Sequence, residues 1–312
     1  MQLAIFGLGR MGMQIAQRLH KNNFDVIAWN RSPEPRAEFL SFALQQSSGS
    51  SRGKAAETVE QAAAQLSETP RVFWVMLPSA VVQDFLFGEQ GLVEFLKPGD
   101  IVIDGGNSFY KDSIRRAEKL EARGVHFFDA GTSGGVWGEA NGFAIMVGGP
   151  SRAWQTVEPI FKALSSGENY GLVGRNGAGH FVKMVHNGIE YGMMEAIAEG
   201  YGVLNASDFN LDLAQVSKIY QKGSVVSSWL IDLTRTVFEK EDIDATSGII
   251  HATGEGEWTI NAAKELGVDA RVIEDAFKVR QESNLPENQA KFSNKIVALL
   301  RKQFGGHAVE KK

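Results

Sequence analysis

The chain has 312 residues and a net charge of −5 at pH 7, with 22% charged and 43% hydrophobic residues. This balance is typical of a globular protein, and the length allows two domains. The acidic balance argues against a nucleic-acid-binding surface, and the longest apolar runs are too short to cross a membrane. The sequence contains no cysteine. That excludes disulfides, thiol nucleophiles and cysteine-based metal sites, and it favours a cytoplasmic protein.

The first half of the sequence alternates between strand and helix patterns. Apolar strand patterns occur at 2–8, 25–30, 71–78, 100–108, 125–131, 142–149 and, weakly, 169–174. Helical patterns occur between them, at 11–23, 33–43, 54–66, 109–123 and 151–164. Continuous apolar strands separated by helices predict a doubly wound, mostly parallel sheet with helices on both faces.

The pattern changes after Gly177, where strand signals end. Helical patterns follow at about 178–206, 211–222, 225–239, 257–266, 269–282 and 287–303. We therefore predict an α/β domain in residues 1–175 and an all-α domain in residues 176–312. The first long helix of the second domain would begin at the junction, where active sites are common.

A glycine-rich motif, GLGRMG, lies directly after the first strand and opens the first helix. Gly7 permits a tight turn, Gly9 allows the backbone to approach a pyrophosphate, and Gly12 lets the helix pack closely on the strand. The amino end of the helix then faces the phosphates. The motif predicts a Rossmann dinucleotide-binding site formed by Gly7, Leu8, Gly9, Arg10, Met11 and Gly12.

The end of the second strand bears on the choice between NAD and NADP. An acidic residue there would bind the ribose 2′-hydroxyl of NAD. This sequence instead has Asn30, Arg31 and Ser32, which can all donate to a 2′-phosphate. NADP is therefore favoured, with NAD as the alternative, because Arg31 could also stack on the adenine.

Two further motifs follow strands whose carboxyl ends border the ligand crevice in open α/β sheets. Met76, Leu77 and Pro78 end the third strand and are predicted to contact the cofactor. Asn107 and Ser108, in DGGNS, are predicted to point toward the cofactor and substrate.

The segment GTSGG carries hydroxyls and bare backbone amides in a row. Ser133, Gly134 and Gly135 suit the binding of a carboxylate or phosphate, although the composition also fits a flexible loop.

The segment KMVHNGIEYG places five polar side chains on one helix face: Lys183, His186, Asn187, Glu190 and Tyr191. Oxidation of an alcohol by a nicotinamide needs a base for the hydroxyl proton, and a lysine whose pKa is lowered can serve. Lys183 is the candidate base, and Glu190 is suited to a second proton transfer. We expect metal-free chemistry because the sequence shows no cluster of metal ligands.

The sequence resembles the decarboxylating 6-phosphogluconate dehydrogenases, in the shorter form with a compact helical domain. The resemblance rests on GLGRMG, NRS, MLPS, DGGNS, GTSGG, KMVHNGIEYG, GEGEWT and RKQFGGH. It implies oxidative decarboxylation of 6-phosphogluconate to ribulose 5-phosphate and CO2, a step of the pentose phosphate pathway. Lys183 matches the family's general base, which later acts as an acid, and Glu190 matches the acid that protonates C1.

The resemblance also implies a substrate site and an assembly. The residues that match the family's sugar-acid ligands are Asn107, Ser133, Gly134, Gly135, His186 and Asn187. Tyr191 and Arg280 match phosphate ligands. Arg301 and His307 match residues of a tail that completes a neighbouring subunit's site, which implies a homodimer or homotetramer without nucleic-acid or membrane partners.

The sequence departs from longer family members in HATGEGEWT. Thr253 and Glu255 stand where those proteins carry a lysine and a threonine for the phosphate. Glu255 cannot attract a phosphate by charge, so the phosphate would depend on Tyr191, Arg280 and Arg301.

Two alternative functions are left open by the sequence. A β-hydroxyacid dehydrogenase acting on a small acid such as 3-hydroxyisobutyrate would share the lysine, but it has no use for Glu190 as a second acid. A non-catalytic NADP-binding regulatory protein would need neither Lys183 nor Glu190.

Overall fold

A computed structural model describes residues 1–46, 52–251 and 254–311. The chain divides into two compact units, Met1–Lys183 and Met184–Lys312. Thr253, at the departure from the longer family members, lies outside the described residues.

The first unit contains strands and helices in alternation. Its strands are β1 (Gln2–Phe6), β2 (Asp25–Trp29), β3 (Gly53–Ala56), β4 (Val72–Val75), β5 (Ile101–Asp104), β6 (His126–Ser133), β7 (Phe143–Gly148) and β8 (Ser165–Gly174). Its helices are α1 (Arg10–Lys21), α2 (Pro33–Gln45), α3 (Val59–Ala64), α4 (Ser79–Phe87), α5 (Tyr110–Glu121), α6 (Gly138–Asn141) and α7 (Ser151–Leu164).

The strands form one sheet with the order β3-β2-β1-β4-β5-β6-β7-β8. Neighbouring strands are parallel except for β6 and β7, which pair antiparallel. Strand β1 pairs with β2 on one side and with β4 on the other, so the order of the strands along the chain reverses here. The glycine-rich turn follows β1 at this position. The predicted α/β class, with a mostly parallel sheet, is confirmed.

Both faces of the sheet are covered, as the continuous apolar strands predict. Along β1, Leu3 and Ile5 belong to one buried cluster, whereas Ala4 and Phe6 belong to another. Successive side chains of a strand point to opposite faces, so these two clusters are the cores on the two sides of the sheet.

One strand differs from the sequence prediction. Residues 54–66 were predicted to be helical, but Gly53–Ala56 form β3, which pairs with β2 in the register Val26 with Gly53. The segment GKAA has neither β-branched residues nor an alternating pattern, so its strand form depends on pairing with β2 and is not encoded locally.

The second unit is helical in its described part. Helix α8 (Ala178–Asn205) starts in the first unit and continues into the second. The other helices are α9 (Leu213–Tyr220), α10 (Trp229–Lys240), α11 (Glu255–Leu266), α12 (Arg271–Glu282) and α13 (Phe292–Gly305). Their core is a cluster that includes Met194, Leu230, Val237 and Ile296.

A helix that crosses a membrane needs about 20 consecutive, mostly apolar residues. Within residues 1–46, 52–251 and 254–311, none is both long and apolar enough to cross a membrane.

Candidate functional site

The turn between β1 and α1 has the geometry of a pyrophosphate-binding loop. Gly7 has φ +100°, a conformation that favours glycine, and an added Cβ would overlap the carbonyl oxygen of Met76. An added Cβ at Gly12 would overlap the carbonyl oxygen of Gly7. At Gly9, by contrast, an added Cβ meets no atom within 4 Å apart from its neighbours in the chain. The first and third glycines therefore permit close packing, and the second leaves open space beside the amino end of α1.

The loop after β2 is tied to this turn. The backbone N–H of Leu8 donates to Oδ1 of Asn30 at 3.0 Å, and Nδ2 of Asn30 donates to the carbonyl oxygen of Ser32 at 3.3 Å. Asn30 therefore fixes the two loops relative to each other. Arg31 is exposed at the tip, accessible to a ligand that lies across the loop.

The segment after β4 lies directly beside the glycine-rich turn. The backbone N–H of Met76 donates to the carbonyl oxygen of Phe6 at 2.8 Å, which extends the pairing of β1 with β4. Met76 and Leu77 are half-buried and Pro78 is exposed. The segment thus lies beside the glycine-rich turn, and its contact with a cofactor stays a prediction.

The turn DGGNS is held by a buried ion pair. Nη1 of Arg116, on α5, donates to Oδ2 of Asp104 at 3.1 Å, and the backbone N–H of Gly106 donates to Oδ1 at 3.1 Å. Ser108 is buried and donates to Asp104 at 2.8 Å. The prediction that Ser108 points toward a ligand is therefore wrong, because its hydroxyl secures the turn. Asn107 is exposed in the same turn.

The segment GTSGG is ordered as a strand end followed by a tight turn. Ser133 is the last residue of β6, and Gly134 and Gly135 have φ +136° and +54°. All three residues are half-buried. Both glycines adopt backbone conformations that side chains disfavour, so the segment is a defined turn and its amides have fixed directions.

The amino end of α8 is anchored to the sheet by Asp129, a residue that the sequence analysis did not select. Its buried carboxylate accepts from the backbone N–H of Gly177 at 2.6 Å and from that of His180 at 2.8 Å. Burial raises the pKa of Asp129, against the opposing effects of His180 and of these two backbone donors. An aspartate inside an otherwise apolar strand, in FFDAG, is the sequence signal that could have identified this anchor.

Lys183 lies against β6 at a glycine. A Cβ at Gly131 would overlap Cβ of Lys183 and would come within 3.0 Å of the carbonyl oxygen of Gly179. The absence of a side chain at Gly131 thus allows the first turn of α8 to approach the strand backbone. The lysine is half-buried, as expected of a proton-transfer group.

The next part of the polar stripe belongs to the second unit. Nδ1 of His186 lies 3.1 Å from Oδ1 of Asn187 and 3.9 Å from Oε2 of Glu190. All three side chains are half-buried. The structure therefore brings together the imidazole, amide and carboxylate that the helical spacing predicted to share a face.

Tyr191 occupies a tight position between α8 and α11. A Cβ at Gly256 would lie 2.6 Å from Cε2 of Tyr191. Oγ1 of Thr259 donates to the carbonyl oxygen of Met184 at 2.8 Å and packs where Gly188 leaves space. Gly256 and Thr259, in the segment GEGEWT, therefore allow α11 to pack closely against α8 around Tyr191.

Two buried arginines accompany Tyr191. The guanidinium carbon of Arg280, on α12, lies 3.2 Å from the centre of the Tyr191 ring, and Arg280 is 1% exposed. Arg301, on α13, is also buried and interacts electrostatically with Arg280, Tyr191, Glu190 and Glu255. Burial, assisted by repulsion from Arg280, lowers the pKa of Arg301 to about 10. Guanidinium groups are not deprotonated in proteins near neutral pH, so both arginines are charged.

Several polar atoms of this cluster lack a hydrogen-bond partner within the described part of the chain. They are the hydroxyl of Tyr191 and Nε and Nη2 of Arg280. Buried donors without partners are unfavourable, and a bound anion would satisfy them. Tyr191, Arg280 and Arg301 thus fit an anion.

Buried carboxylates also belong to this region. Glu255 is buried at the start of α11 and its charge favours that of Arg301. The predicted departure from the longer family members therefore places an acid beside an arginine. Glu195, on α8, is buried beside Arg280 and was not selected from the sequence, where an acidic residue on a helix is usually solvated.

Arg301 and His307 were predicted to complete a neighbouring subunit's site. Arg301 lies in the cluster of its own chain. His307 follows the end of α13 and its ring packs edge-on against Phe304, with the ring centres 6.3 Å apart. A role between subunits stays a prediction.

No group of three or more His, Asp or Glu side chains suited to a metal ion occurs within the described ranges. The expected metal-free chemistry stays a prediction.

The fold and the glycine-rich turn define a dinucleotide-binding protein, and the polar face of α8 supplies groups for proton transfer. Residues 2–174 match the family model for the NAD binding domain of 6-phosphogluconate dehydrogenase. Residues 179–311 match the model for the 6-phosphogluconate dehydrogenase C-terminal domain. The chain belongs to the 6-phosphogluconate dehydrogenase family.

Individual relatives agree with this assignment. The chain is 39% identical to a putative 6-phosphogluconate dehydrogenase of Bacillus subtilis, with all of both chains covered. It is 35% identical to the NAD(+)-dependent, decarboxylating 6-phosphogluconate dehydrogenase of Haloferax volcanii, covering 100% of this chain and 99% of the relative.

A solved structure adds a comparison of folds. The 6-phosphogluconate dehydrogenase of Plasmodium falciparum, studied without ligands, with NADP+ and with 6-phosphogluconate, matches with a TM-score of 0.82 and 28% identity. The match covers 92% of this chain and 63% of that protein. The chain therefore shares the fold of the matched part of this protein and is shorter than the whole.

Proposed function

We propose that the protein catalyses the oxidative decarboxylation of 6-phosphogluconate to ribulose 5-phosphate and CO2, with reduction of NADP or NAD. The observation that carries the proposal is the combination of Lys183 and Glu190 on one helix with the buried cluster of Tyr191, Arg280 and Arg301. A single base suffices to oxidise an alcohol. The second acid and the anion-binding cluster are suited to a phosphorylated acid that is decarboxylated after oxidation.

The cofactor fits the glycine-rich turn, because open space lies over Gly9 and the amino end of α1 faces it. When bound, the nicotinamide supplies the hydride acceptor. Gly7, Leu8, Gly9, Arg10, Met11 and Gly12 would hold the pyrophosphate. Asn30, Arg31 and Ser32 would hold the adenosine end, with Met76, Leu77, Pro78 and Asn107 along the cofactor.

The proposed chemistry has three steps. Lys183 takes the proton of the C3 hydroxyl as hydride leaves C3, which produces a 3-keto acid. Lys183 then returns a proton toward the carbonyl oxygen while the bond to the carboxylate breaks and CO2 leaves, producing an enediol. Glu190 finally donates a proton to C1 while Lys183 takes back the proton of the neighbouring enediol hydroxyl, which gives the ketose.

The remaining polar residues would orient the substrate. Ser133, Gly134 and Gly135 offer a hydroxyl and backbone amides for its carboxylate and hydroxyls, together with Asn107. His186 and Asn187, which contact each other, would bind hydroxyls next to the reacting carbons. Tyr191, Arg280 and Arg301 would bind the phosphate, whose negative charge satisfies the buried donors.

We propose NADP as the preferred cofactor. The support is the loop after β2, where an asparagine held by the backbone N–H of Leu8 and an exposed arginine replace the acid expected for NAD. The relative from Haloferax volcanii is named NAD(+)-dependent, so NAD stays the alternative.

We also propose a cytoplasmic homo-oligomer, either a dimer or a tetramer. Ile189 and Met193 lie one turn apart on α8 and are 54% and 40% exposed, and Val203 near its end is 73% exposed. A second copy of the chain would remove these apolar side chains from water. His307, near the carboxyl end, is the candidate to reach a neighbouring subunit.

The alternative substrate, 3-hydroxyisobutyrate, is not favoured. It carries no phosphate, so it would leave the buried donors of Arg280 without an acceptor. A small hydroxyacid also gives Glu190 no second proton transfer. A non-catalytic NADP-binding role is also disfavoured, because it gives neither Lys183 nor Glu190 a proton to transfer.

The test is a reduction assay in which NADPH formation and CO2 release are followed together. With 6-phosphogluconate we expect one CO2 for each NADPH, and with 3-hydroxyisobutyrate we expect little reduction. Reduction without CO2 release, or faster reduction with 3-hydroxyisobutyrate, would contradict the proposed reaction.

A further inference from the structure

Glu195 is a buried acid that the proposed reaction does not use. It lies on α8 one turn beyond Tyr191 and is 5% exposed. Neither of its carboxylate oxygens has a hydrogen-bond partner in the described part of the chain. A buried carboxylate without hydrogen bonds is unfavourable when ionised, so its position requires an explanation.

The charged groups around Glu195 come from two helices. Arg280, on α12, attracts the ionised carboxylate, and the exposed Glu199, on the next turn of α8, repels it. Arg280 in turn faces Tyr191 and Glu190 on α8 as well as Arg301 on α13, and Arg301 faces Glu255 on α11. Glu195 is therefore, with Glu190, one of the carboxylates whose charge compensates that of Arg280.

Burial is the main influence on the titration of Glu195. It raises the pKa of this carboxyl to about 7, against the attraction of Arg280. The carboxyl therefore titrates near neutral pH, and a modest change in nearby charge can shift it between its protonated and ionised forms.

We propose that Glu195 is a positioning residue whose carboxylate compensates Arg280 in the free protein and takes up a proton from solvent when the substrate's phosphate binds. This inference rests on the proposed function, because it assumes that the phosphate of 6-phosphogluconate contacts Arg280. One proton moves from the buffer to a carboxylate oxygen, and no bond of the substrate changes.

The physical reason is the low dielectric of the cluster. An ionised Glu195 offsets the charge of Arg280 and repels an incoming phosphate dianion, and both effects are stronger in a buried site than in water. Protonation removes this repulsion and leaves the full charge of Arg280 for the phosphate. The affinity for a phosphorylated substrate should therefore fall as the pH rises above neutral, because binding takes up a proton and the proton concentration is then lower.

The experiment counts the protons taken up on binding. Titration calorimetry of 6-phosphogluconate at pH 8, in two buffers with different heats of ionisation, gives this number directly. For the wild-type protein we expect an uptake approaching one proton, because a carboxyl with a pKa of about 7 is mostly ionised at pH 8 before binding. The variant Glu195→Gln should bind 6-phosphogluconate without this uptake.

The matched control is Glu199→Gln, which removes an exposed carboxylate from the same helix one turn away. It should take up as many protons as the wild type. Equal proton uptake by the wild type and Glu195→Gln would overturn the proposal. If Glu195→Gln does not fold, the wild-type count decides, because binding at pH 8 without proton uptake would also overturn it.

The outcomes separate this inference from the proposed function. If 6-phosphogluconate neither binds nor reduces NADP, the proposed function fails. If it binds and is decarboxylated without the proton uptake that depends on Glu195, only the role of Glu195 fails. A purely structural role would change the stability of the variant but would not link proton uptake to the phosphate.

Discussion

The glycine-rich turn of the first unit and the charged cluster of the second are built in opposite ways. The turn uses residues without side chains, so that backbone groups approach each other at Gly7 and Gly12 and space is left at Gly9. The cluster of Tyr191, Arg280 and Arg301, with Glu195 beside it, uses large buried side chains, and nearby carboxylates offset the charges of its arginines. The turn can be recognised from local sequence, whereas the cluster depends on residues that are distant in the chain.

The two regions also respond differently to pH. The turn presents backbone amides, which do not titrate in the physiological range. The cluster contains a carboxyl whose pKa is raised to about 7. The comparison predicts that changes at the glycine-rich turn alter cofactor binding and choice, whereas changes in the charged cluster alter the pH dependence of binding and stability.

The largest expected effect is that of Lys183→Met. Loss of the general base should reduce turnover by about 10³-fold. Binding of NADP should change little, because the glycine-rich turn is untouched. Steady-state rates and a cofactor-binding titration would check both expectations. Lys162→Met, which removes an exposed lysine of α7, is the control. Substantial residual activity of Lys183→Met would refute the assignment of the base.

The next effect tests how the sheet positions that lysine. Gly131→Ala should displace the first two turns of α8, because the new Cβ would overlap that of Lys183. A misplaced catalytic group typically reduces turnover by about 10²-fold. Gly171→Ala, in β8, is the matched control because an added Cβ meets no atom within 4 Å there. Equal activity of the two variants would show that the contact at Gly131 does not position Lys183.

A third prediction concerns stability and the cluster. The pKa of Glu195 is raised in the folded protein, so the folded state resists ionisation and loses stability as pH rises from the unfolded pKa through about 7. Relative to Glu195→Gln, the wild type should lose about 2 to 3 kcal/mol between pH 5 and 8. Denaturant unfolding of both proteins at several pH values would measure this difference. A constant difference across this range would contradict the buried, titrating carboxyl.

The smallest expected effect concerns cofactor choice. Arg31→Ala should raise the KM for NADP by about tenfold, since a charge-assisted contact to the 2′-phosphate is lost. The KM for NAD should change little. Arg52→Ala, which removes another exposed arginine of the first unit, should affect neither. An equal effect of Arg31→Ala on both cofactors would indicate stacking on the adenine.

Much of the fold follows from the sequence, because hydrophobic periodicity and turn residues act locally. The strand β3 was missed since GKAA becomes a strand only through its pairing with β2. The polar stripe of α8 was recognised from helical spacing alone. Its anchor, Asp129, was missed because the carboxylate acts on the backbone of a helix that begins far along the chain.

The arrangement of the charged cluster could not be predicted from the sequence. Arg280 and Arg301 were identified by resemblance, but their placement in one chain is a product of helix packing. Glu195 gave no signal, because the sequence does not show which acid of a long helix is buried. Ser108 was predicted to face a ligand, whereas its hydroxyl bonds to Asp104.

The most direct test of the central claim is the ratio of kcat/KM for 6-phosphogluconate to that for gluconate, which differs from it by the phosphate. If Tyr191, Arg280 and Arg301 bind the phosphate, the ratio should be about 10² or larger, since each charge-assisted hydrogen bond contributes about 1.5 to 3 kcal/mol. A ratio near one would contradict the account, because the buried arginines would then have no part in substrate selection.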